Sequence, residues 1–174
     1  MITLHEIISP VCAALEDIGK WSDRDASSSA TSLLAAIRTT TFLVTLVVLA
    51  KVMGSSLVLS RDLQSTQLDL PTAITDATNL RSTLQEWRAN AQEEFPQIFA
   101  EVEEIAADIG AAVEMPRTTR RQTLRDNVPA DTKEEYFRRV VYVPFLDNFL
   151  TQLEVRFTIE RAYEMTIPLE TGKH

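Results

Sequence analysis

The spacing of apolar residues along the chain predicts helices almost throughout. From Ile2 to Ile18 apolar side chains recur at steps of three and four, which gives a helix one apolar face that Gly19 brings to an end. Residues Ser22 to Ser32 are rich in serine and aspartate, which predicts a loop leading into a helix cap. From Leu33 to about Gln64 the pattern predicts one long hydrophobic helix, with a candidate break near Gly54.

Two further amphipathic helices are predicted in the middle of the chain. Asp69 is placed to cap the first, with Pro71 in its first turn. Its apolar face follows a four-three alternation and comprises Ala73, Ala77, Leu80, Leu84, Trp87 and Ala91. Pro96 is predicted to start the second helix and Gly110 to end it. The apolar face of the second helix comprises Ile98, Phe99, Val102, Ile105, Ala106 and Ile109.

Residues 111–130 show no apolar periodicity and are predicted to form an extended connector. Pro116 and Pro129 lie within this stretch, and neither can continue a helix with a full set of hydrogen bonds. A connector of this length is unusual inside a compact domain and is often functional.

A last long helix is predicted to extend to about Tyr163. It opens on a capping pattern, either Asp131 with Glu134 or Thr132 with Glu135. Its apolar face comprises Phe137, Val141, Phe145, Phe149, Leu153 and Phe157.

Pro144 predicts a kink in this last helix, because it removes the hydrogen bond to the carbonyl of Val140. The elements together predict an all-α fold, a multi-helix bundle with a long basic connector before a kinked C-terminal helix. A length of 174 residues fits a single domain over residues 1–174.

The charge of the chain is negative overall and uneven along its length. With a formal net charge of −8, the chain as a whole would be repelled by a phosphate backbone. Residues Glu93 to Asp108 include six acids and no base, whereas Arg117 to Arg125 include four arginines and no acid. A nucleic-acid role therefore requires a local basic patch.

Compartment and membrane association are predicted from three features. Cys12 is the only cysteine, and no cleavable signal pattern opens the chain, so a nuclear or cytoplasmic location is predicted. The most apolar stretch, Phe42 to Leu59, is interrupted by Lys51, and its unbroken part ends at Ala50. It predicts a buried core helix rather than a membrane span.

The residue inventory predicts no metal, cofactor or catalytic site. His5, Cys12 and His174 are the only imidazole or thiol ligands and do not make a zinc cluster. Cys12 lies on an apolar helix side, which favours a buried structural residue over a nucleophile. The acids Glu101, Glu104 and Asp108 share one helix face and could in principle hold a cation, but a solvated face is the favoured interpretation. No phosphate-binding loop, dinucleotide motif or serine elbow occurs, and no small-molecule substrate is indicated.

Arg117, Arg120, Arg121 and Arg125 are the candidate nucleic-acid-binding residues. They alternate with threonines and other hydrogen-bonding residues on the connector, and guanidinium groups and hydroxyls suit phosphate contacts. The alternative is that they pair with the acidic helix at residues 93–108. Trp21, beside a polar loop, either packs as a hydrophobic cap or stacks on an unpaired base.

Several short runs resemble proteins of the hAT transposase superfamily, especially the MYM-type and THAP-type zinc-finger proteins derived from it. Downstream, the likeness rests on PRTTRRQTLRDNVP at 116–129, EYFR at 135–138, VPFLD at 143–147 and LEVRF at 153–157. Upstream it rests on LSRDLQS at 59–65 and LDL at 68–70. The resemblance thus covers nearly the whole chain.

The resemblance implies a helical insertion domain, which in such transposases interrupts an RNase H-like catalytic core. In that family the first two catalytic aspartates precede this region and the glutamate comes after it, so the metal-binding triad is expected outside this chain. The implied function is a non-catalytic transposase remnant with residual DNA binding through the basic loop. The alternative is a helical protein–protein interaction or self-association module without nucleic-acid binding.

Overall fold

The computed structural model describes residues 4–64, 66, 70–116 and 130–157, with the side chains of His5 and Leu70 left out. Within these ranges all regular structure is helical and no strand occurs, which confirms the predicted all-α class. The helices are α1 Leu4–Ile18, α2 Arg24–Ile37, α3 Thr40–Ser55, α4 Leu57–Leu63, α5 Leu70–Ala89, α6 Ala91–Asp108, α7 Lys133–Phe137 and α8 Val143–Arg156. A π-helical turn, Arg138–Tyr142, joins α7 to α8.

The chain forms two compact units, each built from two stretches of sequence. Unit 1 comprises Met1–Val52 with Ala91–Val143, and unit 2 comprises Met53–Asn90 with Pro144–His174. The assignment of residues 1–174 to one domain stays a prediction.

The core of unit 1 lies between α3, α6 and the α7–π segment. The fully buried side chains with the largest volumes there are Tyr142, Phe95, Phe137, Leu43, Ile105, Val44, Val48, Val52 and Val102. The rings of Phe95 and Tyr142 lie 5.3 Å apart between centroids, and those of Phe99 and Phe137 lie 6.3 Å apart. Each such side chain stabilises the fold by about 1.5–3 kcal/mol through burial, so this cluster holds the C-terminal segment of unit 1 against α6.

In unit 2 the amphipathic pattern predicted for α5 is confirmed. Ala73, Ala77, Leu80 and Leu84 are buried, and Trp87 is half-buried. Two ion pairs fasten α5 to α8: Arg88 Nε lies 2.6 Å from Asp147 Oδ1, and Arg81 Nη2 lies 3.1 Å from Glu154 Oε1. The cap predicted at Asp69 lies outside the described residues.

The loop predicted over Ser22 to Ser32 is wrong, because α2 begins at Arg24. Asp23 caps it, since its Oδ1 accepts hydrogen bonds from the amides of Asp25 (3.0 Å) and Ala26 (3.2 Å). Inside α2, side-chain hydroxyls donate to carbonyls one turn back, as Ser32 does to Ser28 at 3.0 Å. This local bonding lets serines occupy helical positions that composition alone assigned to a loop.

The single long helix predicted from Leu33 to Gln64 is also wrong, because the chain forms α2, α3 and α4 instead. The first break falls at Arg38 and Thr39, where the Thr39 hydroxyl accepts a hydrogen bond of 3.3 Å from the Phe42 amide at the start of α3. The second break falls at Ser56, two residues after Gly54, which confirms the predicted break near that glycine, and Gly54 itself lies inside α3. Among the described helices none alone is long and apolar enough to cross a membrane; α2 and α3 meet that criterion only together, with a 69° bend between them.

Helix α6 starts earlier than predicted and ends where predicted. It begins at Ala91, so Pro96 lies within it. Pro96 cannot donate to the carbonyl of Gln92, but Gln92 is exposed and water can satisfy that carbonyl. The predicted apolar face of α6 is buried throughout. Gly110 adopts a φ of 64°, and the amide of the following Ala111 donates to the Ala106 carbonyl at 2.8 Å, which closes the helix.

Only part of the apolar face predicted for α1, which includes Ile7, Ile8 and Val11, is buried. Ile8 and Cys12 are buried, whereas Ile7 and Val11 are exposed. The predicted end is confirmed, since the Gly19 amide donates to the Leu15 carbonyl at 2.9 Å. The apolar residues of α1 cover more than one face, so tertiary packing chose which of them to bury.

The cap of the last helical segment uses the second of the two predicted patterns. The Thr132 hydroxyl accepts from the Glu135 amide at 3.1 Å, and the Glu135 carboxylate accepts from the Asp131 amide at 3.0 Å. The predicted end near Tyr163 lies outside the described residues, where α8 is traced to Arg156.

The predicted kink is confirmed, and it takes the form of the π turn immediately before Pro144. The Val143 amide donates to the Arg138 carbonyl, five residues back. The wide turn inserts one residue, which rotates the side chains of later residues by about 100° around the helix axis. As a result Tyr142 and Leu146 are buried, whereas the predicted Val141 and Phe145 are only half-buried. The predicted face is therefore wrong by one residue at Val141 and Phe145, whereas Leu153, which was also predicted, is buried.

Candidate functional site

The four arginines predicted to bind nucleic acid, Arg117, Arg120, Arg121 and Arg125, lie outside the described residues. We call residues 117–129 the arginine segment. Because both flanking stretches are described, the structure shows where the segment leaves the folded part of unit 1 and where it returns.

The chain is held by backbone and side-chain hydrogen bonds just before the arginine segment. The buried hydroxyl of Thr40, at the start of α3, accepts from the Glu114 amide at 2.9 Å and donates to the Ala112 carbonyl at 3.3 Å. A threonine at a helix start can serve in this way because its hydroxyl both donates and accepts. Residues 111–116 therefore take a defined path although they form no helix or strand.

A further hydrogen bond holds the chain just after the arginine segment, and it reaches the same stretch, residues 111–116. Lys133, the first residue of α7, donates from Nζ to the Val113 carbonyl at 2.7 Å. A charged donor makes this bond stronger than one between neutral groups. The stretch before the arginine segment is therefore linked directly to the first residue of the helix that follows it.

A cavity of about 440 Å³ lies beside the point where the chain leaves the described part of unit 1. Its lining includes Arg38, Thr39, Thr41, Glu114 and Pro116. The Arg38 guanidinium is already engaged, because Nε donates to the Ile109 carbonyl at 3.0 Å and Nη2 pairs with Glu16. With Glu114 also in the lining, the cavity carries both signs of charge and is not a dedicated anion site.

Trp21 lies in the turn between α1 and α2, and its side chain is 59% exposed. Much of the residue thus remains open to solvent. An exposed indole presents a flat surface on which a base can stack. Base stacking by Trp21 stays a prediction.

The acidic side of α6 faces solvent, as the favoured interpretation of its sequence predicted. Glu101, Glu103 and Glu104 are exposed, and no described lysine or arginine pairs with them. Glu94 differs, since it lies 3.0 Å from Lys51 Nζ. Within the described ranges no group of acids, histidines or cysteines is arranged to hold a metal ion.

Cys12 is buried, as predicted for a structural residue. Burial raises the pKa of its thiol, while Arg38 acts in the opposite direction with a smaller effect. The protonated form is therefore favoured, and a thiol in that form is a poor nucleophile.

Two buried polar atoms of the π turn lack hydrogen-bond partners in the described structure: Tyr142 Oη and Arg138 Nε. Burial, with a smaller contribution from nearby Glu94, raises the pKa of Tyr142 to about 12. The apolar face predicted from the sequence did not include Tyr142. Pro144, which disturbs the hydrogen bonding of the preceding turn, is the only sequence signal close to this feature.

Comparison of the chain with protein-family models, with curated proteins and with solved structures finds no match. The resemblance to hAT-type transposases therefore rests on the sequence runs alone.

Proposed function

We propose that this chain is a non-catalytic helical module related to hAT-type transposases, which contacts DNA through the arginine segment. The observation that supports the proposal is the hydrogen bond from Lys133 to Val113, which links the stretch before the arginine segment to the start of α7 after it. Four arginines occur within nine residues between these two linked stretches. Guanidinium groups concentrated in this way suit contacts to successive phosphates.

The charge of the rest of the chain limits where DNA can bind. The formal net charge of −8 and the acidic side of α6 repel a phosphate backbone. Contact is therefore restricted to the arginine segment, with exposed Trp21 as an additional stacking surface for an unpaired base. The proposal includes no strand cleavage or joining, since the resembled family takes its catalytic acids from flanking regions.

The experiment is a titration of labelled duplex and hairpin DNA with the whole chain at several salt concentrations. If all four arginines contact phosphates, the logarithm of the affinity should fall with the logarithm of the salt concentration with a slope of about −3 to −4. Changing all four arginines to alanine should abolish binding. Absence of binding to either DNA at low salt would exclude the proposal.

A matched control removes the same amount of positive charge elsewhere. It carries alanine at four exposed basic positions, namely Lys20, Arg24, Arg61 and Arg156. This variant should retain most of the DNA affinity. Equal loss in both variants would indicate non-specific attraction rather than a site at the arginine segment.

The second candidate function is a helical module for protein interaction or self-association. It is favoured by exposed apolar side chains on unit 1, including Ile7, Val11, Phe42 and Leu49, and by the exposed acids of α6. Surfaces that combine apolar contact with charge are typical of protein interfaces. Binding of a protein or peptide without any DNA affinity would support this candidate over the first.

A further inference from the structure

A shallow groove separates α6 from the start of α7 in unit 1. Its volume is about 450 Å³, and its lining includes Pro96, Phe99, Ala100, Glu103, Thr132 and Glu134. We call it the α6–α7 groove. The ring of Phe99, which packs against Phe137, is part of its lining.

The groove combines apolar side chains with two carboxylates. Pro96 and Ala100 are one helical turn apart on α6, and both are exposed. Glu103 continues α6 by one more turn, and Glu134 belongs to the first turn of α7. A methylene chain can lie along such an apolar surface while its charged end reaches the carboxylates.

Neither carboxylate is neutralised by a neighbouring base in the described structure. Lys133 also lines the groove, but its ammonium donates to the Val113 carbonyl. Arg139, one turn after Glu135 on the same segment, pairs with that residue. Glu103 and Glu134 have no described ion-pair partner and remain available to a ligand.

We propose that the α6–α7 groove binds an arginine side chain from a basic segment of a partner protein. The planar guanidinium is more weakly hydrated than an ammonium and presents several donors, so arginine suits a groove with both apolar and carboxylate side chains better than lysine does. The exposed acids Glu93, Glu101 and Glu104 on the same helix add a negative field that attracts a basic segment. The inference rests on the second candidate function and is independent of DNA binding.

The test uses the whole chain and a fluorescein-labelled heptapeptide of alternating glycine and arginine, with binding measured by fluorescence anisotropy at low salt. A peptide with glutamine in place of arginine is the ligand control. The double variant Glu103→Gln with Glu134→Gln should weaken arginine-peptide binding by about tenfold or more, as expected for lost charge-assisted hydrogen bonds. Ala100→Arg, which places a cation in the groove, should weaken binding similarly.

The matched control is Glu101→Gln with Glu104→Gln, which removes the same charge from exposed positions of α6 outside the groove lining. It should change the affinity by less than about threefold, as expected for exposed charges.

Equal loss of arginine-peptide affinity in both double variants, or no binding of the arginine peptide, overturns the proposal. Binding that appears only after Arg117, Arg120, Arg121 and Arg125 are changed to alanine also overturns it, because the occupant is then the chain's own arginine segment. DNA affinity measured on the same groove variants should not fall, since they only remove acids or add a cation, which separates failure here from failure of the DNA proposal.

Discussion

Lys133 donates a hydrogen bond of 2.7 Å from its ammonium to the carbonyl of Val113, twenty residues earlier in the chain. The bond joins the start of α7 to the irregular stretch that comes after α6. It therefore links the stretch before the arginine segment to the helix that follows it, whatever that segment binds.

Replacing Lys133 with methionine should lower the free energy of unfolding by about 0.5–1.5 kcal/mol, since methionine keeps the apolar stem but cannot donate. Urea unfolding monitored by circular dichroism measures the change. Lys20→Met is the control, because Lys20 pairs with nearby Asp17 on the surface, at 2.9 Å. An unfolding midpoint for Lys133→Met equal to that of the control would show that the bond does not contribute.

Replacing Thr132 with alanine should destabilise the chain by about 1 kcal/mol, because the Glu135 amide loses its capping acceptor. Thr132→Ser keeps the hydroxyl and should restore most of that loss. Thermal unfolding of the three proteins provides the comparison. If serine and alanine behave alike, the cap seen at 3.1 Å is not responsible for the stability of α7.

Replacing Tyr142 with phenylalanine should leave stability unchanged or raise it by up to about 1 kcal/mol, because the buried hydroxyl has no partner to lose. Tyr142→Ala should instead cost about 3–5 kcal/mol by leaving a cavity. Urea midpoints at neutral pH distinguish the two. A clear loss of stability in the phenylalanine variant would reveal a hydrogen bond to the hydroxyl.

The same residue predicts a loss of stability at alkaline pH. The pKa of Tyr142 is raised from 10.0 to about 12 in the folded chain, so the unfolded chain releases this proton first. The contribution of protonated Tyr142 to the free energy of unfolding is complete below pH 10, and it is lost as pH rises through the folded pKa near 12. Urea midpoints measured across this range should fall less steeply for Tyr142→Phe than for the natural chain, and equal slopes would contradict the assignment.

Replacing Gly54 and Gly110 with alanine, one at a time, should change the stability of the chain in opposite directions. Gly54 lies inside α3, and a Cβ added there meets no atom within 4 Å, so Gly54→Ala should stabilise by about 0.5–1 kcal/mol. Gly110 has a φ of 64°, which a side chain disfavours, so Gly110→Ala should destabilise by about 1 kcal/mol. Thermal unfolding of the two variants tests both, and a shift of the same sign in both would refute the conformational argument.

The sequence by itself determined those helices whose apolar residues occupy a single face and whose ends are marked by neighbouring residues. The apolar faces of α5 and α6 and the glycine end of α6 depend on periodicity and on single-residue backbone preferences. The four-residue spacing between Ala73 and Ala77, and the glycine at position 110, were sufficient to predict them. The all-α class is set by these same signals.

Only the tertiary structure decided which of several apolar faces is buried and where consecutive helices separate. α1 and α3 carry apolar residues on more than one side, so packing against other elements, rather than periodicity, selected Ile8 and Val44 for the core. The π turn before Pro144 moved the buried register from Val141 to Tyr142, because one inserted residue rotates everything after it. The meeting of Lys133 with Val113 likewise joins residues distant in sequence, and no local pattern encodes such a contact.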